Sequence, residues 1–328
     1  QQLATFSFDF VDNQKNFKAN DFQPSQDRPF VEKMVAHIGS SHTFLECGNE
    51  KQIEMLFDSV KAHDLPAMAD VDASMLYFCS LVSTQYKVAL TGECADEIFG
   101  GYPWFHKREC FQADTFPWTM DLSPRKEMLS QEFLEYLDMD SYVQESYQRS
   151  VAETPRWEGD SPEEARRREI SYLNLKWFMQ TLLNRMDRAS MYNGLEARVP
   201  FADTRIVRYV WNVPWEMKTR NGVVKNLLRE SGRGLLPEEV LFRRKSPYPK
   251  TYDPRYESLL KGMVRERILS GHSPILQFVD PKKVEKFLSQ PSDYGKPWYG
   301  QLMAGPQMLA YLLQIDAWME NYHVQVVS

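Results

Sequence analysis

Three acidic side chains lie close together in the segment KVALTGECADEIFGGYPWF, residues 87–105. Glu93, Asp96 and Glu97 follow a short apolar run and precede a pair of glycines. This order predicts a buried strand, a tight turn and the first turn of a helix. Carboxylates at such a turn could carry magnesium and substrate chemistry, or Asp96 and Glu97 could cap a short helix. The spacing alone leaves both interpretations open.

The elements that would position these acids alternate through the first hundred residues. The pattern predicts strands at residues 3–11, 42–47 and 87–90, and helices at residues 28–38, 50–63 and 71–85. Such alternation is typical of α/β proteins with a doubly wound, mostly parallel sheet, where ligands bind at the carboxyl ends of the strands. Beyond Tyr102 the periods are mainly helical, ending in an apolar face at residues 302–322. We therefore expect an α/β part over residues 1–102 and a mainly helical part over residues 103–328 that completes the site.

Composition narrows the class of protein. The 328 residues are 43% hydrophobic, enough to bury a sizeable core. The formal net charge is −6 and no basic patch stands out, so a nucleic-acid partner is not expected. The apolar runs are too short for a membrane span, so no membrane partner is expected. The four cysteines have no CxxC spacing, so we expect reduced thiols and a cytoplasmic location. The six histidines are scattered and form no metal-binding signature.

Three segments resemble the signatures of one family. TGECADEIFGGY resembles the S-G-E-G-S-D-E-x-F-G-G-Y segment of asparagine synthetases of the glutamine-hydrolysing type. LNRMDRASMYNGLEARVPF at residues 183–201 resembles a second signature, and RRKSPYPKTYDP at residues 243–254 resembles a third. Because the three occur in the family's order, the match is specific and covers essentially the whole chain, residues 1–328. It implies the C-terminal synthetase domain, with the adenine nucleotide alpha hydrolase-like fold of the PP-loop ATP pyrophosphatase type, in which residues 1–102 are the nucleotide-binding part.

The resemblance implies an ATP-dependent carbon–nitrogen ligase that uses ATP and Mg²⁺. ATP would adenylate the side-chain carboxylate of aspartate and release pyrophosphate. Ammonia, normally supplied by a glutaminase domain, would then attack the adenylate to give asparagine and AMP. A related amide-forming synthetase of the β-lactam synthetase or peptide-cyclising type, or a truncated non-catalytic homologue, is the alternative. A homodimer is compatible with the sequence.

The resemblance also assigns roles to charged residues. Glu93 matches the acid at the reacting centre, where it could orient ammonia and accept its proton. Asp96 matches a position near the metal and pyrophosphate. Lys245 matches the lysine that stabilises charge on the α-phosphate, and Lys225 matches a second lysine of less defined role.

Other matched positions concern the nucleotide and the substrate. Phe8, Thr91 and Gly92 match strand-end positions that contact the nucleotide, mostly through backbone, although Phe8 could equally be sheet core. On the helix and loop predicted over residues 184–198, Asp187 could pair with a substrate ammonium and Arg188 with a carboxylate or phosphate.

Two further pairs favour a structural interpretation. Glu196 and Arg198 are expected to form an internal ion pair that holds their loop to the sheet. Asp72 and Ser74 open a predicted helix and are expected to cap it, although they could also reach the amino-acid substrate.

The chain departs from the family pattern in two respects. Cys94 and Ala95 stand where the family usually has Gly and Ser, which puts only a hydroxyl contact in doubt. The S-G-G-x-D-S loop that binds pyrophosphate in this superfamily does not occur in the sequence, nor does the glutaminase domain with its terminal cysteine, and the chain begins Gln1–Gln2. We therefore expect a fragment that lacks one strand and one helix of its sheet, leaves residues 3–11 uncovered and does not make asparagine by itself.

Overall fold

The computed structural model describes residues 2–19, 23–290 and 305–326. Four strands lie in this part of the chain: β1 (Ala4–Phe10), β2 (Ser41–Cys47), β3 (Val88–Leu90) and β4 (Glu196–Arg198). The longer helices are Arg28–Ile38, Asn49–His63, Asp70–Ser83, Met139–Ala152, Pro162–Leu173, Gln180–Tyr192, Pro254–Met263 and Gly305–Asn321. Shorter helices are Asn13–Asn16, Ala95–Phe99, Arg108–Gln112, Ser123–Lys126, Gln131–Leu137, Thr204–Trp211, Trp215–Lys218, Asn226–Ser231, Glu238–Leu241 and Pro281–Leu288. Single turns of 3₁₀-helix form at Pro103–Phe105, Pro200–Ala202 and Pro274–Gln277, and π-helical turns at Asn174–Met179 and Val264–Ile268.

The strands are parallel, as the alternation of strand and helix predicts. β1 pairs with β2, with Phe8 opposite Leu45, and β3 pairs with β4, with Ala89 opposite Ala197. The described residues do not form one continuous doubly wound sheet, however, because the two pairs are separate two-stranded sheets. The coarse prediction of a mixed α/β, mostly helical chain with parallel strands is confirmed.

The strand β4 corrects the prediction of a helix followed by a loop over residues 184–198. The helix Gln180–Tyr192 ends in a turn at Gly194, and the backbone then pairs with β3. Thr91 N–H donates to the Arg198 carbonyl at 3.0 Å, which extends this pairing beyond β3. Three residues with two charged side chains carry no local strand signal, because strand formation here depends on a partner about a hundred positions away.

Helices in the first hundred residues follow their sequence signals closely. The helix Arg28–Ile38 ends at Gly39, whose φ of 64° is the left-handed conformation that suits glycine after a helix. The helix Asp70–Ser83 buries an apolar stripe that includes Met75, Leu76, Cys79 and Val82. This stripe packs with Phe6, Leu45 and Ala89, which lie on three of the strands.

Apart from β4, the remainder of the described chain is mainly helical and contributes to several apolar clusters, among them a large one and an aromatic one. The larger cluster joins the helices Asn49–His63, Pro254–Met263 and Gly305–Asn321. The second is aromatic and centres on Trp104, which is 2% exposed. The predicted apolar face at residues 302–322 is present from Gly305 onward, and residues 302–304 lie outside the described part. No helix of the described residues is both long and apolar enough to cross a membrane.

A cavity of about 850 Å³ lies between the two small sheets. We call it the strand-edge cavity; it is lined by residues 3–9, Phe44, Leu45, Met75, Phe78, Cys79, Val82, Tyr86, residues 88–93 and Ala197, among others. Within the described ranges, neither β1 nor β3 has a ladder partner on its second edge. The cavity is therefore bordered on two sides by strand edges whose backbone groups are not paired in a sheet.

Candidate active site

The strand, turn and helix predicted for residues 87–105 are present, but the strand is not buried as predicted, because the Val88 and Leu90 side chains are exposed. β3 ends at Leu90, and the short helix Ala95–Phe99 begins after Cys94, whose φ of 71° is left-handed. A Cβ on Gly101 would lie 1.8 Å from the Asp96 carboxylate, so only glycine lets this side chain lie against the backbone. The turn therefore places Asp96 in a fixed position at the carboxyl end of β3.

Two lysines distant in the sequence converge on Asp96. Lys245 Nζ donates to Oδ2 at 2.8 Å, and Lys225 Nζ lies 2.8 Å from Oδ1. Burial is the largest influence on this carboxyl and raises its pKa, but Lys245 and Lys225 together hold the pKa of Asp96 below its usual value. The result is an ionised carboxylate with two cationic partners, and the cluster carries a net positive charge.

Glu93 is held by a buried arginine that the sequence interpretation did not identify. Arg185 Nη2 donates to Glu93 Oε1, while Oε2 has no hydrogen-bond partner among the described residues. Arg185 lies on the buried stripe of its helix, beside Leu182, Met186 and Ala189. A charged residue in an apolar stripe was the available signal, since a buried arginine needs an anionic partner.

Glu97 lies close to Glu93 and Asp96 in the sequence, but its hydrogen-bond partner is Tyr102. Tyr102 O–H donates to Glu97 Oε1, and burial, only partly opposed by this bond, raises the pKa of Glu97 to about 7. The Tyr102 ring also lies 4.6 Å from Lys245 Nζ, a cation–π distance. The helix Ala95–Phe99 has no side-chain cap, so the capping interpretation of Asp96 and Glu97 is wrong.

These groups open onto a second cavity of about 730 Å³. We call it the polar cavity. Its lining includes His63, Met68, Asp72, residues 91–97, Tyr102, Trp104, Trp118, Trp177, Phe178, Thr181, Leu182, Asn184, Arg185, Lys245, Ser246, Tyr248 and Tyr311. Thr91, Gly92 and Glu93 line both cavities, so the turn after β3 separates them.

The structure brings some of the predicted site residues together and separates others. Glu93, Asp96, Lys245, Thr91 and Gly92 all line the polar cavity, and Lys225 reaches it through Asp96.

Three predicted residues lie elsewhere. Asp187 is exposed and lines neither cavity, and the exposed Arg188 lies 3.8 Å from Asp64. Phe8 lines the strand-edge cavity and is 7% exposed, with its ring against Phe10 and Phe78. Its side chain is therefore part of the apolar packing. The position of Asp187 gives no support for a contact with a substrate in the polar cavity.

The pairs Glu196–Arg198 and Asp72–Ser74, for which we predicted structural roles, differ from those predictions in different ways. Arg198 Nε donates to Glu196 Oε1 at 2.8 Å, but both side chains are more than half exposed, so this ion pair is external and adds little stability. Asp72 Oδ2 accepts from the Met68 backbone N–H just before its helix, a bond similar to a cap. Ser74 donates instead to the Val71 carbonyl, so it is not a cap.

The described residues contain no group of three or more His, Cys, Asp or Glu side chains placed to hold a metal ion. Asp96, the predicted metal ligand, has a lysine beside each of its two carboxylate oxygens. Mg²⁺ usually takes one or two carboxylates and completes its coordination with water and substrate phosphates. The donor set is compatible with a metal that arrives with a nucleotide.

Parallel strands, a carboxylate turn and converging lysines define an α/β protein with a candidate anion-binding centre. The family model described as asparagine synthase matches residues 1–320, so the chain belongs to the asparagine synthase family. It is 42% identical over 325 residues to "Asparagine synthetase [glutamine-hydrolyzing] 3" of Bacillus subtilis, an alignment that covers 99% of this chain and 53% of that protein.

More distant relatives carry the same kind of name. "Asparagine synthetase [glutamine-hydrolyzing] 1" of Bacillus subtilis is 28% identical over 216 residues, covering 56% of this chain and 34% of that protein. "Asparagine synthetase [glutamine-hydrolyzing]" of Homo sapiens is 27% identical over 233 residues, covering 69% and 32%. The chain thus spans about half the length, or less, of the curated relatives it matches.

Proposed function

We propose that this chain is the synthetase region of an ATP-dependent enzyme that converts aspartate to asparagine. The observation that carries this proposal is the convergence of Lys225 and Lys245 on Asp96 beside the polar cavity. Two lysines around one buried carboxylate form a centre with surplus positive charge, which suits the phosphates of a nucleotide.

In the first step, the aspartate carboxylate attacks the α-phosphorus of ATP and pyrophosphate leaves. Negative charge increases on the α-phosphate oxygens in the transition state, and Lys245 is the cation that stabilises it. Lys225 approaches Asp96 from the other side and would bind the departing phosphates. Asp96 is the counter-ion that holds both lysines in place before the nucleotide binds.

Asp96 is also the residue that would hold Mg²⁺ when the lysines transfer to the phosphates. A bound Mg²⁺ would neutralise phosphate charge and orient the leaving pyrophosphate. The absence of a side chain at Gly101 leaves the room that the Asp96 carboxylate occupies.

In the second step, ammonia attacks the acyl carbon of the adenylate and AMP leaves. Glu93 Oε2, which has no partner among the described residues, would accept the proton that ammonia loses. Arg185 acts through Glu93 as a positioning residue, because its bond to Oε1 leaves Oε2 as the oxygen without a partner among the described residues.

The aromatic side of the polar cavity suits an adenylate that water would hydrolyse. Trp104 stacks on Tyr102 with ring centroids 4.3 Å apart, and Phe178 meets Trp104 edge-on at 4.9 Å. Such a wall leaves few hydrogen-bonding sites for water and strengthens the electrostatic contacts inside.

The test is the aspartate-dependent exchange of pyrophosphate into ATP, measured together with ATP binding on the chain extended upstream to include an S-G-G-x-D-S loop. We expect Lys245→Ala to lower the exchange rate roughly 100-fold or more while it weakens ATP binding much less, because the lysine stabilises the transition state. Lys250→Ala is the matched control, since Lys250 lies five residues further on, over the Tyr252 ring and outside the polar cavity.

Other outcomes would redirect the proposal. Equal exchange by the Lys245→Ala and Lys250→Ala variants would remove Lys245 from the chemistry. Exchange that depends on a different carboxylic acid would favour a related amide-forming synthetase. Absence of exchange, both in this chain and in a version extended upstream to include an S-G-G-x-D-S loop, would favour a non-catalytic homologue.

A further inference from the structure

Several buried polar atoms around the polar cavity lack hydrogen-bond partners among the described residues, and three of them are acceptors on the side chains of one histidine and two acids. They are Asp72 Oδ1, Glu93 Oε2 and His63 Nε2, and all three side chains line this cavity. Buried polar atoms in folded proteins are nearly always hydrogen-bonded. A cluster of them at one cavity therefore indicates a ligand that supplies the missing donors.

The role of His63 as an acceptor follows from its other nitrogen. His63 Nδ1 lies 2.9 Å from the Ser59 carbonyl, which can only accept, so Nδ1 carries a proton. In the neutral ring this leaves Nε2 as an acceptor. His63 is 5% exposed, so bulk water has little access to this atom.

The two carboxylate oxygens of Asp72 have different surroundings. Oδ2 accepts from the Met68 backbone N–H and so serves the start of the helix Asp70–Ser83. Oδ1 has no partner in the described part of the chain, and the side chain is 0% exposed. The helix start therefore needs only one of the two oxygens.

The buried Asp72 carboxylate also lacks a counter-ion of its own. Burial is the largest influence on the Asp72 carboxyl and raises its pKa, and the nearby Arg185 guanidinium opposes this only in part. The guanidinium of Arg185 already donates a hydrogen bond to Glu93. A cation brought by a ligand would supply the missing counter-ion.

The chemistry of the three acceptors favours an ammonium group over a metal ion. A primary ammonium has three donors and no acceptor, which suits buried acceptors that need donors. A metal site is disfavoured because no group of three His, Cys, Asp or Glu side chains in the described residues has metal-binding spacing.

We propose that Asp72 binds the ammonium group of the substrate that is activated beside Glu93, so that the site selects an amino acid over the same acid without its amino group. His63 Nε2 accepts a further donor, and Glu93 Oε2 remains available for the proton of ammonia in the second step. This inference rests on the proposed function for the identity of the substrate, and it makes Asp72 a determinant of specificity.

The probes are L-aspartate and succinate, which share the two carboxylates and differ in the amino group. Their dissociation constants are measured by calorimetry on the wild type, Asp72→Asn and Asp70→Asn. The wild type is expected to prefer L-aspartate, and Asp72→Asn to reduce that preference roughly 10-fold or more with little change for succinate.

Asp70→Asn is the matched control because Asp70 is a buried acid on the same helix turn. Asp70 accepts from Gln307 at 2.8 Å and does not line the polar cavity. It should keep the wild-type preference. If Asp72→Asn does not fold, His63→Gln takes its place and should reduce the same preference.

Failure of the inference is distinguishable from failure of the proposed function. If aspartate supports pyrophosphate exchange but Asp72→Asn keeps the full preference for L-aspartate, the ammonium site is overturned and the function stands. If aspartate supports no exchange but Asp72→Asn still removes a preference for L-aspartate, the ammonium site stands without the function. A wild type with no preference overturns the ammonium site.

Discussion

The polar cavity and the strand-edge cavity are of similar size and share the turn at Thr91, Gly92 and Glu93, but they are built differently. The polar cavity brings together charged side chains and buried polar atoms that lack partners. The strand-edge cavity is bordered by strand backbones and by apolar side chains such as Phe78 and Val82. One side of the turn can therefore recognise a charged small molecule, whereas the other suits an extended apolar segment.

The largest effect is expected at Glu93, where a role in proton transfer can be distinguished from a role in packing. Glu93 lines both cavities, but its free oxygen matters only if it transfers a proton. In the chain extended upstream to include an S-G-G-x-D-S loop, Glu93→Gln keeps the shape of the side chain and removes the base, so ammonia-dependent asparagine formation should fall by roughly 10²- to 10⁴-fold. The measurement is the rate of asparagine release at saturating ammonia.

The control for this prediction is the first half-reaction. Pyrophosphate exchange should fall much less in Glu93→Gln, because ammonia takes no part in it. An unchanged rate of asparagine formation would show that Glu93 only holds Arg185 in place.

A second prediction concerns the pH dependence of stability on the polar side. The pKa of Glu97 is raised to about 7, so between pH 4.5 and 7 the folded chain retains a proton that the unfolded chain has lost. This group therefore lowers the free energy of unfolding as the pH rises through that window, by on the order of 3 kcal/mol. Glu97→Gln should abolish this contribution, which chemical denaturation at pH 4.5 and 8 would measure.

Tyr102→Phe sharpens the same prediction. The Tyr102 hydrogen bond lowers the pKa of Glu97, so its removal should raise that pKa further and extend the window upward. If wild type and Glu97→Gln have parallel stability profiles, burial does not perturb Glu97 as described.

The smallest effect is expected at the strand-edge cavity. Leu90 on β3 is 76% exposed beside an edge without a ladder partner in the described part of the chain. A lysine on an edge strand disfavours pairing with another chain, so Leu90→Lys should reduce self-association with little change in stability. Sedimentation velocity over a concentration series would measure this.

Leu235→Lys is the matched control for edge pairing. Leu235 is 70% exposed and lies outside the strands. If both variants reduce association equally, general surface charge is responsible rather than the strand edge.

Local signals predicted the parts of the site that are local. The apolar run, the acids and the glycine pair specify β3, the turn and the helix Ala95–Phe99 within fifteen or so residues, and the same kind of signal located Gly39. The resemblance identified Lys225 and Lys245. Their convergence on Asp96 is a product of tertiary folding, since Lys245 lies 149 positions from Asp96.

The parts that were missed depend on long-range contacts. β4 forms because it meets β3, and Arg185 is recognisable as functional only beside Glu93, 92 positions away. Asp187 is next to Arg188 in a matching signature, yet the helix turns it outward to solvent. Sequence spacing could not decide which of several charged residues in one helix faces the cavity.

Cys94 has a practical consequence. Its thiol follows Glu93 directly, is 2% exposed, and burial together with Glu97 and Glu93 raises its pKa to about 12. Because only thiolates alkylate readily, this sulfur should react when the turn opens and remain protected while it is closed. The rate of its labelling, followed by peptide mapping, would make Cys94 an intrinsic reporter of how often the turn between the two cavities opens, and of whether a nucleotide holds it shut.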